Sequence, residues 1–464
     1  MPCYLAIDCG LTQIKAAVID DTGRVLSLFG ATTPVRGTAI DVDALTENLY
    51  TVIGQAIKQA NVAVSHVCAA GHGNGLYYIT QDGCTAAVSS MATAPICNDP
   101  QLIQLTGQSC WGGQPLQILR QIKNEQPDLY TQIDKIMFCK DFLVYLLSGK
   151  IGTDYGDASA GALLDVSTND YSPQILQIHG LSDARDMLPK LHRSYESYAT
   201  VSATAAQLTG LTEGTPICAG MFDVNACILG AGNYTDSFQL IAGTWGINAV
   251  ITGHPVTCPT VTQSCLFLSP EQHMLIDSAP VSCVNLEWLM SHIFPDLTYD
   301  QANSLVAQCP IDQRLFYLPY LYAPMDIPQA RAGFIGLDRD HGPGDMIRAV
   351  FEGIAFEHRR RVDKFRAAGL ERPRVVLSGG AAKSEIWCQM FADILRIPVE
   401  QTAQAQAGLL GCAITCAVAH GDYPHYAQAV SRMTEDRRVF FPGDDLYNEK
   451  YKQFLKEITS WITE

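Results

Sequence analysis

The sequence is poor in charged residues, and positive charge is especially scarce. Charged residues fill only 17% of the 464 positions, and 31 Lys and Arg stand against 47 Asp and Glu, for a formal net charge of −16. Nucleic-acid backbones and anionic membranes are bound by clustered Lys and Arg, so we expect neither as a partner. With 47% apolar residues, the composition is that of a compact globular chain.

Long apolar runs and short cysteine motifs are also missing. No stretch approaches 18 uninterrupted apolar residues, and the N-terminus enters a strand pattern without the basic and apolar regions of a signal peptide. The sixteen cysteines include no CxxC pair, and Cys412 and Cys416 have the spacing of one helix face. Zinc ligation and a disulfide framework are therefore not indicated, and we expect reduced, mostly buried thiols in a cytoplasmic protein.

Several common catalytic and cofactor motifs are absent as well. The chain contains no HExxH, GxSxG or GxGxxG segment. Residues 379–384 carry the lysine and serine of a P-loop, but they lack its first half and the glycine before the lysine. These absences argue against a zinc protease, an α/β-hydrolase and a dinucleotide-binding enzyme.

The chain does contain, at residues 4–20, a strand, a polar turn and a second strand. Apolar residues run up to Asp8, the chain turns at Gly10, and apolar residues return from Ile14. A carboxylate, a glycine and the hydroxyl of Thr12 are thus expected together at the turn. Such a turn can offer backbone N–H groups to a phosphate while the carboxylate faces a metal ion. An ordinary hairpin turn is the alternative.

The same layout returns roughly 240 residues later. Residues 238–251 repeat the strand, a Gly243-Thr244 turn and the second strand, and strand-helix patterns follow in both halves. The repeat predicts two similar α/β domains facing each other, 1–242 and 243–464. A cleft between such domains is the natural place for a ligand, and there the two turns would grip a polyphosphate from both sides.

Two further features belong to this candidate site. The strand Arg374–Ser378 leads into Gly379-Gly380-Ala381, whose small side chains let the following helix, capped by Ser384, approach a nucleobase. Asp223 follows another buried strand, where a carboxylate can accept a proton from a hydroxyl that attacks a γ-phosphate. The alternatives are that Asp223 caps its helix and that the glycines form a plain strand-to-helix turn.

Other polar positions are interpreted as structural. The patterns predict a helix that begins after Asp41, and a short helix over Lys140–Ser148 that Gly149 closes. His72 is interpreted as a structural loop histidine. The run Arg359-Arg360-Arg361, next to His358 in a predicted helix, is expected to be a solvated face.

Taken in order, these motifs resemble those of the FGGY carbohydrate kinases, a family of the actin-like ATPase superfamily, over essentially the whole chain. The most specific likeness is at residues 332–353, which resemble the second family signature from end to end. The other matches are the first phosphate motif at 8–15, the catalytic-base motif Phe222-Asp223, the second phosphate motif Gly243-Thr244 and the adenosine motif Gly379-Gly380-Ala381 with Ser384.

The resemblance implies two actin-like (ribonuclease H-like) α/β domains facing each other across a catalytic cleft, with ATP and Mg²⁺ as cofactors. It implies that Asp223 is the catalytic base and that Asp8 and Asp223 are the acidic residues at the metal. The first domain would hold the sugar, and the second would hold adenosine. The implied nucleotide-binding residues are Asp8, Gly10, Leu11, Thr12, Lys15, Gly243, Thr244, Gly379, Gly380, Ala381 and Ser384.

Within the family the chain is most similar to ketopentose kinases, the L-xylulose kinases in particular. This likeness lies in residues 110–115, 222–224, 243–245 and 285–288. The substrate side departs from the family: residues 89–93 lack the Asp-x-Arg of many members, and the first signature is barely recognisable. Xylulose kinases often carry Met-His where this chain has Gly73-Asn74, so substrate identity is the least constrained property.

The predicted substrate-binding residues are Gly73, Asn74, Trp111 and Asp223. Trp111 offers a flat apolar face to a sugar, and Asn74 offers both a donor and an acceptor. Because neither group is charged, we expect a neutral ketose such as a xylulose. The alternatives are a core role for Trp111 and a turn role for Asn74, another sugar or polyol as substrate, and a non-catalytic sugar or nucleotide sensor. A monomer and a homodimer are both compatible with the sequence.

Overall fold

Strands and helices alternate along the first half of the chain. The computed structural model describes residues 1–256, 261, 263–402, 406–434 and 437–462. The first sixteen strands are β1 (Cys3–Cys9), β2 (Gln13–Asp20), β3 (Val25–Thr32), β4 (Val35–Arg36), β5 (Ala39–Ile40), β6 (His66–Gly71), β7 (Leu76–Thr80), β8 (Thr85–Val88), β9 (Ile133–Met137), β10 (Thr153–Asp154), β11 (Leu164–Asp165), β12 (Asp170–Tyr171), β13 (Leu191–His192), β14 (Ser197–Thr200), β15 (Pro216–Cys218) and β16 (Met221–Phe222). The helices are α1 (Val42–Ala60), α2 (Pro100–Thr106), α3 (Pro115–Glu125), α4 (Pro127–Gln132), α5 (Cys139–Ser148), α6 (Tyr155–Ala160), α7 (Pro173–Ile178), α8 (Ala203–Thr209) and α9 (Asp223–Ala231), with a 3₁₀ helix at Ser182–Met187.

The second half continues the alternation. Its strands are β17 (Phe238–Ala242), β18 (Gly246–Thr252), β19 (Gln263–Leu266), β20 (His273–Ala279), β21 (Phe316–Leu318), β22 (Gly333–Ile335), β23 (Val375–Gly379), β24 (Val399–Gln401) and β25 (Arg438–Phe440). Its helices are α10 (Val284–His292), α11 (Tyr299–Gln308), α12 (Pro343–Ala367), α13 (Glu385–Leu395), α14 (Ala407–His420), α15 (Tyr426–Met433) and α16 (Asn448–Ile462), with a 3₁₀ helix at Ala381–Lys383.

The repeated hairpin is the framework of two seven-stranded sheets, as the sequence predicts. The first sheet has the order β14-β15-β6-β1-β2-β3 with β16 beside β6, and the second has the order β19-β20-β18-β17-β23-β24-β25. In the first, β1 pairs antiparallel with β2 and parallel with β6. In the second, β17 pairs antiparallel with β18 and parallel with β23. The two sheets therefore share one pairing pattern, and the prediction of two related α/β domains is confirmed.

The predicted helix ends are also confirmed. The Asp41 side chain caps α1 by accepting a hydrogen bond from the Ala44 N–H, and Ser384 caps α13 in the same way through the Trp387 N–H. Gly149 ends α5 in the left-handed conformation, with φ of 70°. Glycine reaches this conformation without the steric cost that a side chain would bring.

Both faces of the first sheet are buried, and a helix from the far end of the chain covers one of them. Leu5 and Ile7 on β1 belong to the core shared with α1, whereas Tyr4 and Ala6 belong to the core shared with α9 and α14. The second-half helix α14 thus packs against the first-half sheet. The two halves of the chain are joined by a common core rather than by a linker alone.

Helices α9 and α14 cross at very short range. A Cβ atom added to Gly230 would lie 1.9 Å from the Ala407 carbonyl oxygen, and one added to Gly411 would lie 2.1 Å from that of Ala226. Only glycine fits where two helix backbones touch in this way. The small residues of both helices are therefore explained by their packing.

The domain boundary near residue 242 stays a prediction. On its N-terminal side, β17 (Phe238–Ala242) pairs with strands of the second sheet, so the boundary cuts a hairpin of that sheet. Among the described residues, no helix is long and apolar enough to cross a membrane. The cytoplasmic location and the oligomeric state also stay predictions.

The prediction of a solvated arginine face at residues 359–361 is wrong. Arg361 is buried, and its guanidinium forms ion pairs with Asp277 and Glu357. Arg360 pairs with Glu357 and Asp326. Helix α12 packs in the core of the second half, and there Arg360 and Arg361 form ion pairs with carboxylates instead of a solvated face.

Candidate active site

Asp223 and Asp8 lie near enough to each other to interact electrostatically. Asp223 is the first residue of α9, with Phe222 at the N-cap position and no capping hydrogen bond from a side chain. The interpretation of Asp223 as a helix cap is therefore not supported. Asp8 is the second-last residue of β1 and lies opposite Lys15 in the hairpin. Burial raises the pKa of Asp8 to about 6, against the lowering effect of Lys15.

The electrostatics of this pair suit proton transfer near neutral pH. Burial, followed by the nearby Asp8 carboxylate, raises the pKa of Asp223 to about 7. A carboxylate whose pKa is raised by burial and by a second carboxylate favours a positive charge nearby. A general base works best when its pKa lies near the working pH.

The residues present fit Mg²⁺. Carboxylate oxygens are ligands that Mg²⁺ prefers, and this ion is usually held by one or two carboxylates together with waters and substrate phosphates. Within the described ranges, no group of three or more His, Cys, Asp or Glu could hold a metal on its own. Asp8 and Asp223 are the residues that would hold the ion, and the ion would neutralise phosphate charge.

The first predicted phosphate turn is tied to the start of α14. The Gly10 N–H donates to the Gln13 carbonyl at 3.0 Å, which leaves Leu11 and Thr12 at the tip of the turn. The Lys15 ammonium donates to Gln406 Oε1 at 3.2 Å. A Cβ added to Gly408 would lie 2.6 Å from the Asp8 carboxylate, so α14 begins directly against that residue.

The second predicted turn lies against the Gly-Gly-Ala segment. The Gly243 N–H donates to the Trp245 carbonyl at 3.2 Å, and Thr244 is exposed. Gly379 has φ of +88°, and a Cβ there would lie 2.6 Å from the Ala242 oxygen. Both conditions require glycine. The sequence motifs at 243–244 and 379–380 are therefore neighbours in space.

A cavity of about 370 Å³ opens beside this segment and is lined by Gly380 and Ser384 among others. The Ser384 hydroxyl donates to Asn303 Oδ1 at 2.6 Å. Ala381 is fully buried and does not line the cavity. A larger cavity of about 600 Å³, lined by residues of 103–109, 159–169 and 255–273, contains none of the predicted site residues.

The predicted sugar-binding loops lie against the residue before Asp223. A Cβ added to Gly73 would lie 2.2 Å from the Phe222 ring. The Gly75 N–H donates to the Gly113 carbonyl at 2.8 Å, which joins this loop to the one that carries Trp111. Asn74 is buried with φ of 60°, and its Oδ1 has no partner. A buried acceptor without a partner is a position where a substrate hydroxyl can donate.

A fully buried ion cluster lies near Asp223. The Lys140 ammonium pairs with Asp141, with Asp154 at 3.1 Å and with Asp157 at 3.7 Å, and all four side chains are inaccessible. Both Asp157 carboxylate oxygens lack a hydrogen-bond donor. Burial is the main cause that raises the pKa of Asp157, and Asp223 adds to it. His72 is buried and contacts the Tyr77 hydroxyl at 3.0 Å, which confirms its structural role.

Sequence reasoning missed the residues that other parts of the chain bring to the site. Gln406 and Gly408 reach it through α14, and Asn303 reaches the cavity through α11. The one available signal was the Ala407-Gly408 pair at the start of an apolar helix, which is typical of a close backbone approach.

Comparisons with known proteins show the family of the chain. Residues 3–230 match the N-terminal domain of the FGGY family of carbohydrate kinases, and residues 239–420 match its C-terminal domain. The chain is 27% identical to the L-xylulose/3-keto-L-gulonate kinase of Escherichia coli, covering 97% of this chain and 95% of that protein. It is 28% identical to a probable L-xylulose kinase of Haemophilus influenzae, covering 98% of each.

A solved structure shows the same fold. The ligand-bound xylulose kinase of Lactobacillus acidophilus superposes with a TM-score of 0.89 at 20% identity, covering 100% of this chain and 97% of that one. The two domain matches together span most of the sequence, and they are ordered as the two sheets are. The chain belongs to the FGGY family of carbohydrate kinases.

Proposed function

We propose that this sugar kinase transfers the γ-phosphoryl group of ATP in line to a hydroxyl of a neutral, xylulose-like ketose, with Asp223 as the base. The observation that carries the proposal is the Asp8–Asp223 pair, where burial and the nearby Asp8 carboxylate raise the pKa of Asp223 to about 7. A carboxylate with this pKa can accept a proton at neutral pH and release it afterwards. Its neighbour Phe222 contacts the predicted sugar loop.

Positioning and charge neutralisation supply most of the acceleration in phosphoryl transfer. The turns at Gly10–Thr12 and Gly243–Thr244 would bind the β- and γ-phosphates through backbone N–H groups. Lys15 lies opposite Asp8 and would add positive charge. Bound Mg²⁺ would supply further charge at Asp8 and Asp223. Closure of the two halves would exclude water that could otherwise accept the phosphoryl group.

The adenosine site is proposed for the cavity of about 370 Å³ beside Gly380. Replacing Gly380 by Leu is expected to lower ATP affinity at least about 10-fold and to spare sugar binding, because the side chain would fill this space. Gly380→Ala is the matched control, since an added Cβ meets Cys283 Sγ at an ordinary 3.4 Å. Calorimetry on both variants decides the matter, and unchanged ATP affinity in folded Gly380→Leu removes this site from the proposal.

The sugar is proposed to be neutral because the groups at the sugar loops are uncharged. Names among the relatives include L-xylulose, a neutral ketose, and 3-keto-L-gulonate, a sugar acid. A cationic side chain would favour the carboxylate of a sugar acid. Lys140 lies in this region, but ion pairs with three buried aspartates engage its ammonium. Of the two sugars, the neutral L-xylulose is therefore the better model for the substrate of this chain.

Removing Asn74 or Trp111 side chains is expected to raise KM for the sugar about 10-fold while KM for ATP stays within a factor of about two. Asn74→Gly is the suitable change, because φ of 60° would strain most other residues. Trp111→Ala removes the apolar face. Equal changes in both KM values, measured by steady-state kinetics, would show that the two side chains only support the fold.

A coupled ADP-release assay tests the proposed function directly. The purified chain is supplied with ATP and Mg²⁺ and screened against ketopentoses, ketohexoses, polyols and sugar acids. The proposal expects the highest kcat/KM with a neutral ketopentose. Turnover of sugar acids alone would overturn the neutral-ketose assignment, and no turnover with any sugar would favour a sensor.

A further inference from the structure

Three polar side chains form a buried chain behind the second phosphate turn. His358 on α12 contacts Asn248 Oδ1 of β18 through Nδ1 at 2.7 Å and Ser282 Oγ through Nε2 at 3.2 Å. Asn248 and Ser282 are fully buried, and His358 is 3% exposed. No step of the proposed reaction uses these groups, so their presence in the core needs its own explanation.

The directions of the hydrogen bonds that link Asn248, His358 and Ser282 follow from one backbone carbonyl. Asn248 Nδ2 donates to the Asp277 carbonyl at 3.2 Å, and a carbonyl can only accept. The Asn248 amide oxygen therefore faces His358, and Nδ1 of the ring must carry the proton. On a neutral ring Nε2 is then an acceptor, so the Ser282 hydroxyl donates to it.

The ring is held neutral by its surroundings. Burial, reinforced by the positive charge of Arg361, lowers the pKa of His358 to about 3. The edge of the ring meets Phe391 of α13, with ring centroids 5.5 Å apart. A neutral imidazole is the one ring state that can donate on one side and accept on the other.

The arrangement resembles a Ser-His-Asn nucleophile, but it has no access to substrate. Ser282 is fully buried, so no carbonyl group can reach its oxygen. A nucleophile needs an adjacent site for the reacting atom, about 3 Å away. The bonded chain is therefore better explained by what it holds in place.

What it holds is the Gly243–Gly246 turn. A Cβ on Gly246 would lie 3.2 Å from Ser282 Cβ and 3.3 Å from His358 Cε1, so the turn rests on both residues. The next residue, Cys283, donates its N–H to the Gly243 carbonyl at 2.8 Å and its thiol to the Ala242 carbonyl at 3.0 Å. The Ser282–Cys283 segment thus holds the start of the turn by hydrogen bonds and packs against its end at Gly246.

We infer that His358 is a positioning residue that fixes Ser282 and, through Ser282–Cys283, orients the Gly243-Thr244 turn toward the phosphates of the bound nucleotide. The inference rests on the proposed phosphate-binding role of that turn. Small displacements of groups that position a reacting phosphate reduce rate steeply, which gives a rigid backing a kinetic effect. Sugar binding involves other loops and is unaffected.

The two bonds of His358 can be tested separately. In His358→Gln, the amide oxygen can take the position of Nε2 and still accept a hydrogen bond from Ser282. In His358→Asn, the shorter side chain places its amide only at the position of Nδ1, so it cannot accept from Ser282. Ser282→Ala and His358→Asn are each expected to raise KM for ATP about 10-fold and to lower kcat, with KM for the sugar unchanged. His358→Gln is expected to stay within about 3-fold of the wild type.

Ser27→Ala is the matched control, because the Ser27 hydroxyl is also buried and donates to the Ala56 carbonyl at 2.8 Å in the first half. Thermal unfolding and ADP calorimetry accompany the kinetics of every variant. If Ser282→Ala loses stability as Ser27→Ala does but keeps the wild-type KM for ATP and kcat, the inference is overturned. Ser282→Ala removes a single oxygen, so the test stands even if a His358 variant does not fold.

The outcomes separate this inference from the function on which it rests. A wild-type protein that neither turns over a sugar nor binds ADP overturns the proposed function and the inference with it. A wild-type protein that does both, with a Ser282→Ala variant that matches Ser27→Ala, overturns the inference alone.

Discussion

Replacing Asp223 by Asn is expected to lower kcat by about 100-fold or more while ATP still binds. Asn keeps the shape of the side chain but cannot accept the proton of the attacking hydroxyl. The measurement pairs single-turnover kinetics on the best sugar with calorimetric titration of ATP. Asp236→Asn, an exposed change thirteen residues along the chain, is the control and should match the wild type.

The same variant is expected to be more stable than the wild type at neutral pH. The pKa of Asp223 is raised to about 7 in the folded protein, above the ordinary aspartate value of 3.8. The folded state therefore binds a proton more tightly than the unfolded state, and the stability of the wild type falls as pH rises from about 4 to about 7.

The amide in the Asp223→Asn variant carries no charge, so the stability of the variant does not fall in this way as pH rises. The Tm of the variant minus that of the wild type should therefore grow from about pH 4 to about pH 7 and stay constant above that. Thermal scans in EDTA without nucleotide check the prediction. A variant that retains near-normal turnover would contradict the role of Asp223 as base. A variant that is inactive but no more stable would instead contradict the electrostatic account of its burial.

Replacing Lys140 by Met is expected to lower the free energy of unfolding by about 3–5 kcal/mol, because three buried carboxylates lose the ammonium group with which they pair. The attraction of these carboxylates outweighs burial and raises the pKa of Lys140 well above its ordinary value. The loss should shrink at lower pH, since burial raises the pKa of Asp141 and Asp157 and protonation removes their charges.

Urea unfolding at pH 7.5 and pH 5.5 measures this effect. Lys150→Met, an exposed change just beyond the end of α5, is expected to alter stability by less than about 0.5 kcal/mol. Equal stability of the Lys140 and Lys150 variants at pH 7.5 would show that the aspartates are compensated in another way. The Lys140 stem also lies 3.3 Å from a Cβ built on Gly220, so the segment before Asp223 is expected to move.

The features that could be predicted from the sequence are those set by neighbouring residues. Apolar runs on either side of a glycine turn define both hairpins, and single polar residues such as Asp41 and Ser384 mark helix starts by capping them. The recurrence of the hairpin in the sequence predicts the two-sheet architecture. Asp223 could be predicted to follow a buried strand because that strand and the helix after it are both recognisable from the local sequence.

The features that could not be predicted depend on residues far apart in the chain. Three consecutive arginines have the local pattern of a solvated face, yet Asp277 and Glu357 make Arg361 a core residue. The contact of Gly408 with Asp8 joins positions 400 residues apart, and neither has a local pattern that names the other. The roles of the predicted site residues stay predictions until the variants above are measured.

The packing of α14 against the first sheet has a consequence for folding during synthesis on the ribosome. When α9 has been made, the face of β1 that carries Tyr4 and Ala6 still lacks the helix that covers it. That helix follows about 176 residues later, from 231 to 407, a delay of roughly 10–35 s at ordinary elongation rates. During this interval the nascent first half exposes an apolar sheet face, so it is a natural client for chaperones and a poor candidate for expression alone.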